Sequence, residues 1–254
     1  MFRPRLIPVL LLQGNGLVKT RKFARPTYLG DPINAVRIFN DLEADELIFL
    51  DISATQQNRS ISLEFVQEVA SEAHMPFAAG GGLQTLAQIR EVLACGAEKV
   101  VLGTAAVQDP EFVRRAAAEF GSSAIAVCLD FKSSFWRGTR CWYRNATQCS
   151  QQEPWELASL MASVGAGELI LQSVDRDGTW MGYDLETIRQ VVDSVTIPVV
   201  ALGGANSLQE LPRAFFEAGA TGLAAGSLFV FHDSRGGVLL NYPPRSHVQK
   251  MFRR

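Results

Sequence analysis

The sequence has 254 residues, of which 47% are hydrophobic and 20% charged. That composition builds a globular core and argues against a disordered, collagenous or membrane-spanning chain. Lys plus Arg number 24 against 26 Asp plus Glu, a formal net charge of −2, which lacks the basic footprint that nucleic-acid binding leaves. The four cysteines, Cys95, Cys128, Cys141 and Cys149, show neither Cys-x-x-Cys pairing nor the density of a disulfide scaffold, and fit a reducing cytoplasm.

Arg3 and Arg5 precede an apolar run at 6–12, and Gln13-Gly14-Asn15-Gly16 follows. Without a small-residue cleavage pattern the run reads as a first strand rather than a secretory leader. Further runs of buried-strand type occupy 46–52, 76–80, 99–103, 124–130, 168–173, 197–202 and 221–226, with stretches of helical period between them. Two of these helices open at Asp31-Pro32 and Asp109-Pro110, an N-cap acceptor followed by a proline whose missing N–H is harmless in the first turn. Eight strands alternating with at least seven helices predict an α/β chain of the (β/α)8 TIM-barrel class, with a doubly wound open sheet as the rival.

An internal repeat decides for the barrel. Pro76-Phe77-Ala78-Ala79-Gly80-Gly81-Gly82 recurs 122 residues on as Pro198-Val199-Val200-Ala201-Leu202-Gly203-Gly204. Gly96-Ala97 is echoed by Gly219-Ala220, Gly103-Thr104 by Gly226-Ser227, and Glu46-Leu47-Ile48 by Glu168-Leu169-Ile170. Four βα units used twice make one domain of two half-barrels, about 1–121 and 122–254. The segment 132–153, with Trp136, Trp142 and Tyr143, reads as a long loop after the fifth strand with room for a hairpin, and such loops shape barrel sites.

In a parallel barrel the strand ends form the face that carries chemistry. Gly80-Gly81-Gly82 with Gly103-Thr104, and Gly203-Gly204 with Gly226-Ser227, each suit an anion cradle, because glycine lets a phosphate approach backbone N–H groups. The bland alternative is that these glycines only turn the chain. Asp130 ends the fifth strand and Asp51 the second, while Val174-Asp175-Arg176-Asp177-Gly178-Thr179 follows the sixth. Each aspartate can serve as acid or base, or merely cap a loop. His74, His232 and His247 lie far apart, so no metal site and no cofactor are expected. At the opposite end, Arg5, Glu46, Lys99 and Glu168 start four different strands, which on spacing alone reads as a salt-bridged plug in the barrel floor.

Taken together these motifs resemble the cyclase subunit of imidazole glycerol phosphate synthase. The likeness runs from Arg5 through Asp45 to Asp51, Gly80, Lys99-Val100, Thr104 to Val107 and Asp175 to Thr179, ending at Gly203-Gly204-Ala205. The resemblance implies two phosphate sites for a phosphorylated small molecule, drawing on Lys19, Asp51, Gly82, Gly103, Thr104, Asp177, Gly178, Gly204, Gly226 and Ser227. It implies a class I glutaminase partner docked on the floor, with Arg5, Glu46, Glu98, Lys99 and Glu168 at the ammonia gate. It also implies catalysis by two aspartates, ending strands one and five. The second matches Asp130, but Leu11 stands where the first belongs.

Gly103 replaces an asparagine, and Gly236 to Phe252, with Asn241-Tyr242-Pro243-Pro244, lacks the long last helix. These departures are similar to cyclase-like paralogues of glycan-modifying pathways, in which the barrel and its glutaminase supply ammonia to a sugar amidotransferase. The true cyclase of histidine biosynthesis is the alternative, and a purely scaffolding barrel overlaps the first reading. Neither nucleic acid nor membrane is an expected partner.

Overall fold

Eight parallel strands close on themselves in the computed structural model, which describes residues 3–134, 136, 138–234 and 236–253. In chain order the strands are β1 (Arg5–Gln13), β2 (Gly16–Arg21), β3 (Ala24–Gly30), β4 (Leu47–Asp51), β5 (Phe77–Gly80), β6 (Lys99–Leu102), β7 (Ile125–Ser134), β8 (Gly138–Tyr143), β9 (Gln148–Cys149), β10 (Glu168–Ser173), β11 (Val199–Leu202) and β12 (Gly222–Ala225). The barrel runs β1-β4-β5-β6-β7-β10-β11-β12, and β12 pairs in parallel with β1, Arg5 beside Gly222. Closure leaves no exposed edge of the kind an open sheet carries, so the barrel expectation holds and the open-sheet rival falls.

Two antiparallel hairpins rise from the mouth. β2 and β3 extend β1, and β8 and β9 extend β7. The second falls in the loop expected at 132–153, where positions 135 and 137 lie outside the described residues. The first was not legible, because Gly14, Gly16, Pro26 and Gly30 interrupt the alternation that marks a strand.

Helices repeat as the strands do. Pro32–Asp41 and Pro154–Ser163 both begin on proline, and Leu63–Glu72 has its counterpart in Leu185–Ser194. Asp31 caps its helix as expected, accepting the Asn34 N–H at 2.8 Å. Asp109 does not cap: with φ −137° and ψ 85° its carboxylate turns away to Arg115, 3.0 Å distant.

Alternation along each strand sorts the core into two layers. Leu6, Leu10, Leu47, Phe49, Leu129 and Leu169 face outward under the helices, while Ile7, Val9, Leu11, Ile48, Cys128 and Ile170 fill the barrel. Among the described residues the chain ends without a long helix. A short one, Arg245–Met251, follows an extended segment that places Tyr242 at the floor. There its hydroxyl donates to the Leu6 carbonyl and accepts the Asp45 N–H, each at 3.1 Å.

Candidate functional site

The period of two carries Asp130, Cys128 and Gln172 to the inner face of the barrel, and Asp130 and Gln172 are register partners on β7 and β10. They line a mouth cavity of about 130 Å³ together with Gly82, Gly103, Thr104 and Asn145. The Cys128 thiol donates to Asp130 Oδ1 at 3.6 Å, and its sulfur lies 3.9 Å from Gln172 Oε1. Burial pushes the Asp130 carboxyl up to about 7, with a smaller upward push from the Asp177 charge, while the thiol works the other way. Burial also holds the Cys128 thiol well above its ordinary range, so it remains a protonated donor. A carboxyl poised near neutrality in a cavity can give or take a proton.

Opposite Asp130, on the barrel strand four places round, stands Leu11, 7% exposed and packed into the inner cluster. It offers no ionisable atom. The remaining mouth carboxylates are engaged elsewhere. Asp51 accepts from Ser53 N at 3.0 Å, Ser53 Oγ at 2.8 Å and Ala54 N at 3.2 Å, and pairs with Arg59 at 2.5 Å. It braces its own loop, which is the bland alternative for that residue. Asp175 Oδ2 accepts the Ser133 N–H at 2.9 Å. Asp177 is held by Lys19 Nζ at 2.7 Å and by Thr20 Oγ1 at 3.0 Å.

The two expected cradles differ. At the first, Gly82 and Thr104 border the mouth cavity, and Thr104 Oγ1 accepts the Arg144 N–H at 3.0 Å. At the second, Asp177, Gly178, Gly204, Gly226 and Ser227 do come together, but with Trp180 they enclose only about 10 Å³, room for about one water. The Lys19 side chain lies against Gly226 and Gly178 lies under Thr20, so the first hairpin is folded down onto this cradle.

Glycine is required at Gly82 and Gly204 for reasons independent of any ligand. Their φ values are +66° and +97°, and a Cβ would stand 1.8 Å from the Arg59 carbonyl or 2.3 Å from that of Gly182. Gly103 differs, since a side chain there would meet nothing within 4 Å.

At the floor, the four strand-start charges form a closed ring. Arg5 pairs with Glu46 and with Glu168, and Lys99 Nζ lies 3.2 Å from Glu46 and 2.9 Å from Glu168. Both carboxylates are buried and the cations half-buried. Glu98 is not part of the ring. Its carboxylate accepts the Phe77 N–H at 2.8 Å and caps the start of β5.

Sequence reasoning missed Cys128, Gln172 and Asn145. For the first two the signal was present: counting by twos from Ala126 and Glu168 puts them on the inner face with Asp130. Asn145 carries no such signal, because its place over the mouth depends on a hairpin turn whose Asn145 Nδ2 donates to the Ile52 carbonyl at 2.8 Å.

Fold and site define a (β/α)8 barrel whose mouth holds a buried carboxyl, raised to about 7, in a glycine-bordered cavity, and whose floor is a ring of paired charges. The chain belongs to the histidine biosynthesis protein family, whose model matches residues 5–235. It is 44% identical over 96% of its length to a Pseudomonas aeruginosa protein named "Putative imidazole glycerol phosphate synthase subunit hisF2", covering 97% of that protein. It is 42% identical over 99% of its length to the "Putative imidazole glycerol phosphate synthase subunit HisF" of Leptospira borgpetersenii, covering all of it (100%). With the "Imidazole glycerol phosphate synthase subunit HisF" of Alkaliphilus metalliredigens the identity is 36%, over 92% of each chain. The protein is thus a HisF-like barrel. Among the described residues no helix is long and apolar enough to cross a membrane.

Proposed function

We propose that this HisF-like barrel lacks efficient cyclase activity and serves as an ammonia-delivering subunit. In this reading a class I glutaminase docks at the floor around Arg5, Glu46, Lys99 and Glu168, and ammonia passes through the barrel to a separate sugar amidotransferase of surface-glycan biosynthesis. The observation that carries the reading is the pairing of Asp130 with Leu11 across the mouth, with Asp51, Asp175 and Asp177 committed to other partners. Cyclisation needs a proton donor and acceptor on both sides of a bound intermediate, and loss of one positioned group costs about 10² to 10⁴ in rate. The sugar amidotransferase as acceptor is supported by the resemblance to paralogues with the same departures at Leu11 and at Asn241-Tyr242-Pro243. The floor ring supports a gate, since it contributes nothing to the mouth chemistry.

The names of the relatives and the retention of Asp130 and Lys19 favour the second reading, a working cyclase of histidine biosynthesis. One measurement separates the two: kcat/KM of the purified barrel with ammonium salts and the histidine-pathway nucleotide. The expected result is no efficient turnover, with Leu11→Asp a necessary step towards activity. Turnover near that of a working cyclase would overturn the proposal.

A further inference from the structure

Beyond the mouth cavity lies a larger trough of about 580 Å³, between the 55–58 loop, the 104–112 segment and the β8–β9 hairpin. The two spaces share Thr55, Gln84, Thr104, Ala105 and Gln108, so the trough is continuous with the mouth but extends outward past the first cradle. Its lining is rich in carboxamides. Gln56, Asn58, Gln84, Gln108 and Gln148 are five of its twelve residues, whereas Asn and Gln together make up only 21 of the 254 in the chain. Surface polarity alone would have supplied Lys and Glu as readily, and neither is present.

None of the five side chains makes a hydrogen bond among the described residues. Each therefore offers two N–H donors and an acceptor oxygen without charge. A hydroxyl group donates and accepts in the same way, so a ligand with many hydroxyls can pair with both the N–H groups and the oxygens of such a surface, whereas an anionic group only accepts and leaves the oxygens unpaired. Of the charged groups in the lining, Asp109 is paired with Arg115, and Arg144 is exposed at the rim with no ion-pair partner among the described residues.

The far wall is fixed in advance. Arg144, Asn145 and Ala146 hold φ values of 51°, 54° and 56°, a left-handed run that costs roughly 1 kcal/mol or more per residue and persists only where its surroundings impose it. Three hydrogen bonds impose it here: Arg144 N to Thr104 Oγ1 at 3.0 Å, Asn145 Nδ2 to Ile52 O at 2.8 Å and Lys132 Nζ to Ala146 O at 2.8 Å. A wall ordered before binding reduces the entropy a ligand must overcome.

We propose that this trough binds the neutral, polyhydroxylated part of a ligand, either a saccharide ring or an open-chain polyol. The site does not depend on the ammonia reading, and the cyclase assay above does not bear on it. The test titrates the full-length, 15N-labelled chain separately with N-acetylglucosamine, with sorbitol and with glucuronate, following the side-chain amide signals of Asn and Gln. Saturable shifts of the trough amides with a neutral probe, weakened by about tenfold in Gln56→Leu/Gln148→Leu as two hydrogen bonds are lost, support the proposal. A response to N-acetylglucosamine alone assigns the saccharide, and one to sorbitol alone assigns the polyol. Both substituted side chains are exposed, so the variant retains the fold, which its thermal unfolding verifies. Binding of glucuronate alone, no saturable response to either neutral probe, or equal binding by parent and variant would overturn it.

Discussion

Lys19 and Asp177 meet across the barrel mouth, Nζ 2.7 Å from Oδ1, with both side chains buried. Lys19 belongs to β2 and Asp177 to the loop after β10, so the pair fastens the first hairpin over the second cradle. Removing one member of a buried pair strands the other charge in a dry site, and Lys19→Met should lose about 3 kcal/mol in urea unfolding. Lys19→Met/Asp177→Leu should recover most of that loss. Equal losses in the single and double variants would show the two charges to be uncoupled.

Asp130 titrates near 7 in the folded chain, against 3.8 for an ordinary aspartate. Between those values the folded state binds more protons than the unfolded one, so this group's contribution to stability declines as pH rises through about 4 to 7. Asp130→Asn should match the parent at pH 4 and exceed it at pH 8, by about 2 kcal/mol once partial solvent access is allowed for. Urea unfolding at the two pH values checks this, and a constant difference between parent and variant would contradict it.

Lys99 is one of two cations holding Glu46 and Glu168. Lys99→Ala leaves two buried carboxylates with Arg5 alone, and should cost roughly 3 kcal/mol in a denaturant melt. If the ring gates a glutaminase, the same variant alters glutaminase binding, its activation or ammonia transfer. No change in any of the three would leave the ring as a structural plug.

Tyr242 joins the C-terminal segment to the first residues of β1 and to the turn before β4 through one donated and one accepted hydrogen bond. Tyr242→Phe leaves the Asp45 N–H without its acceptor at a mostly buried position, and should cost about 2 kcal/mol. A fall of several degrees in Tm is the expected readout, and an unchanged Tm would mean water replaces the hydroxyl.

Strand positions were readable because eight apolar runs and a 122-residue repeat are properties of order along the chain. Arg5, Glu46, Lys99 and Glu168 were readable as a group for the same reason: each starts a strand, and a barrel brings strand starts together. The fates of Asp51, Asp109 and Glu98 were not readable. Each sits one residue or one turn from a position where a different partner, Arg59, Arg115 or the Phe77 N–H, decides its direction. The Lys19–Asp177 pair was equally hidden, since nothing local to β2 announces a partner 158 residues away. Period and repeat carry the fold, whereas the final direction of a charged side chain depends on contacts that order along the chain does not encode.

Around the barrel axis the floor charges alternate in sign, Arg5 on β1, Glu46 before β4, Lys99 on β6 and Glu168 on β10. Such a square is an electrical quadrupole, whose potential cancels along its own axis and decays steeply away from it. A small neutral molecule crossing that plane therefore meets no net field. An ammonium or other ion gains no attraction there to offset its lost hydration, which for a bare charge amounts to many kcal/mol. If ammonia takes the proposed route, charge balance gives the floor a preference for the uncharged form that a ring of one sign would lack.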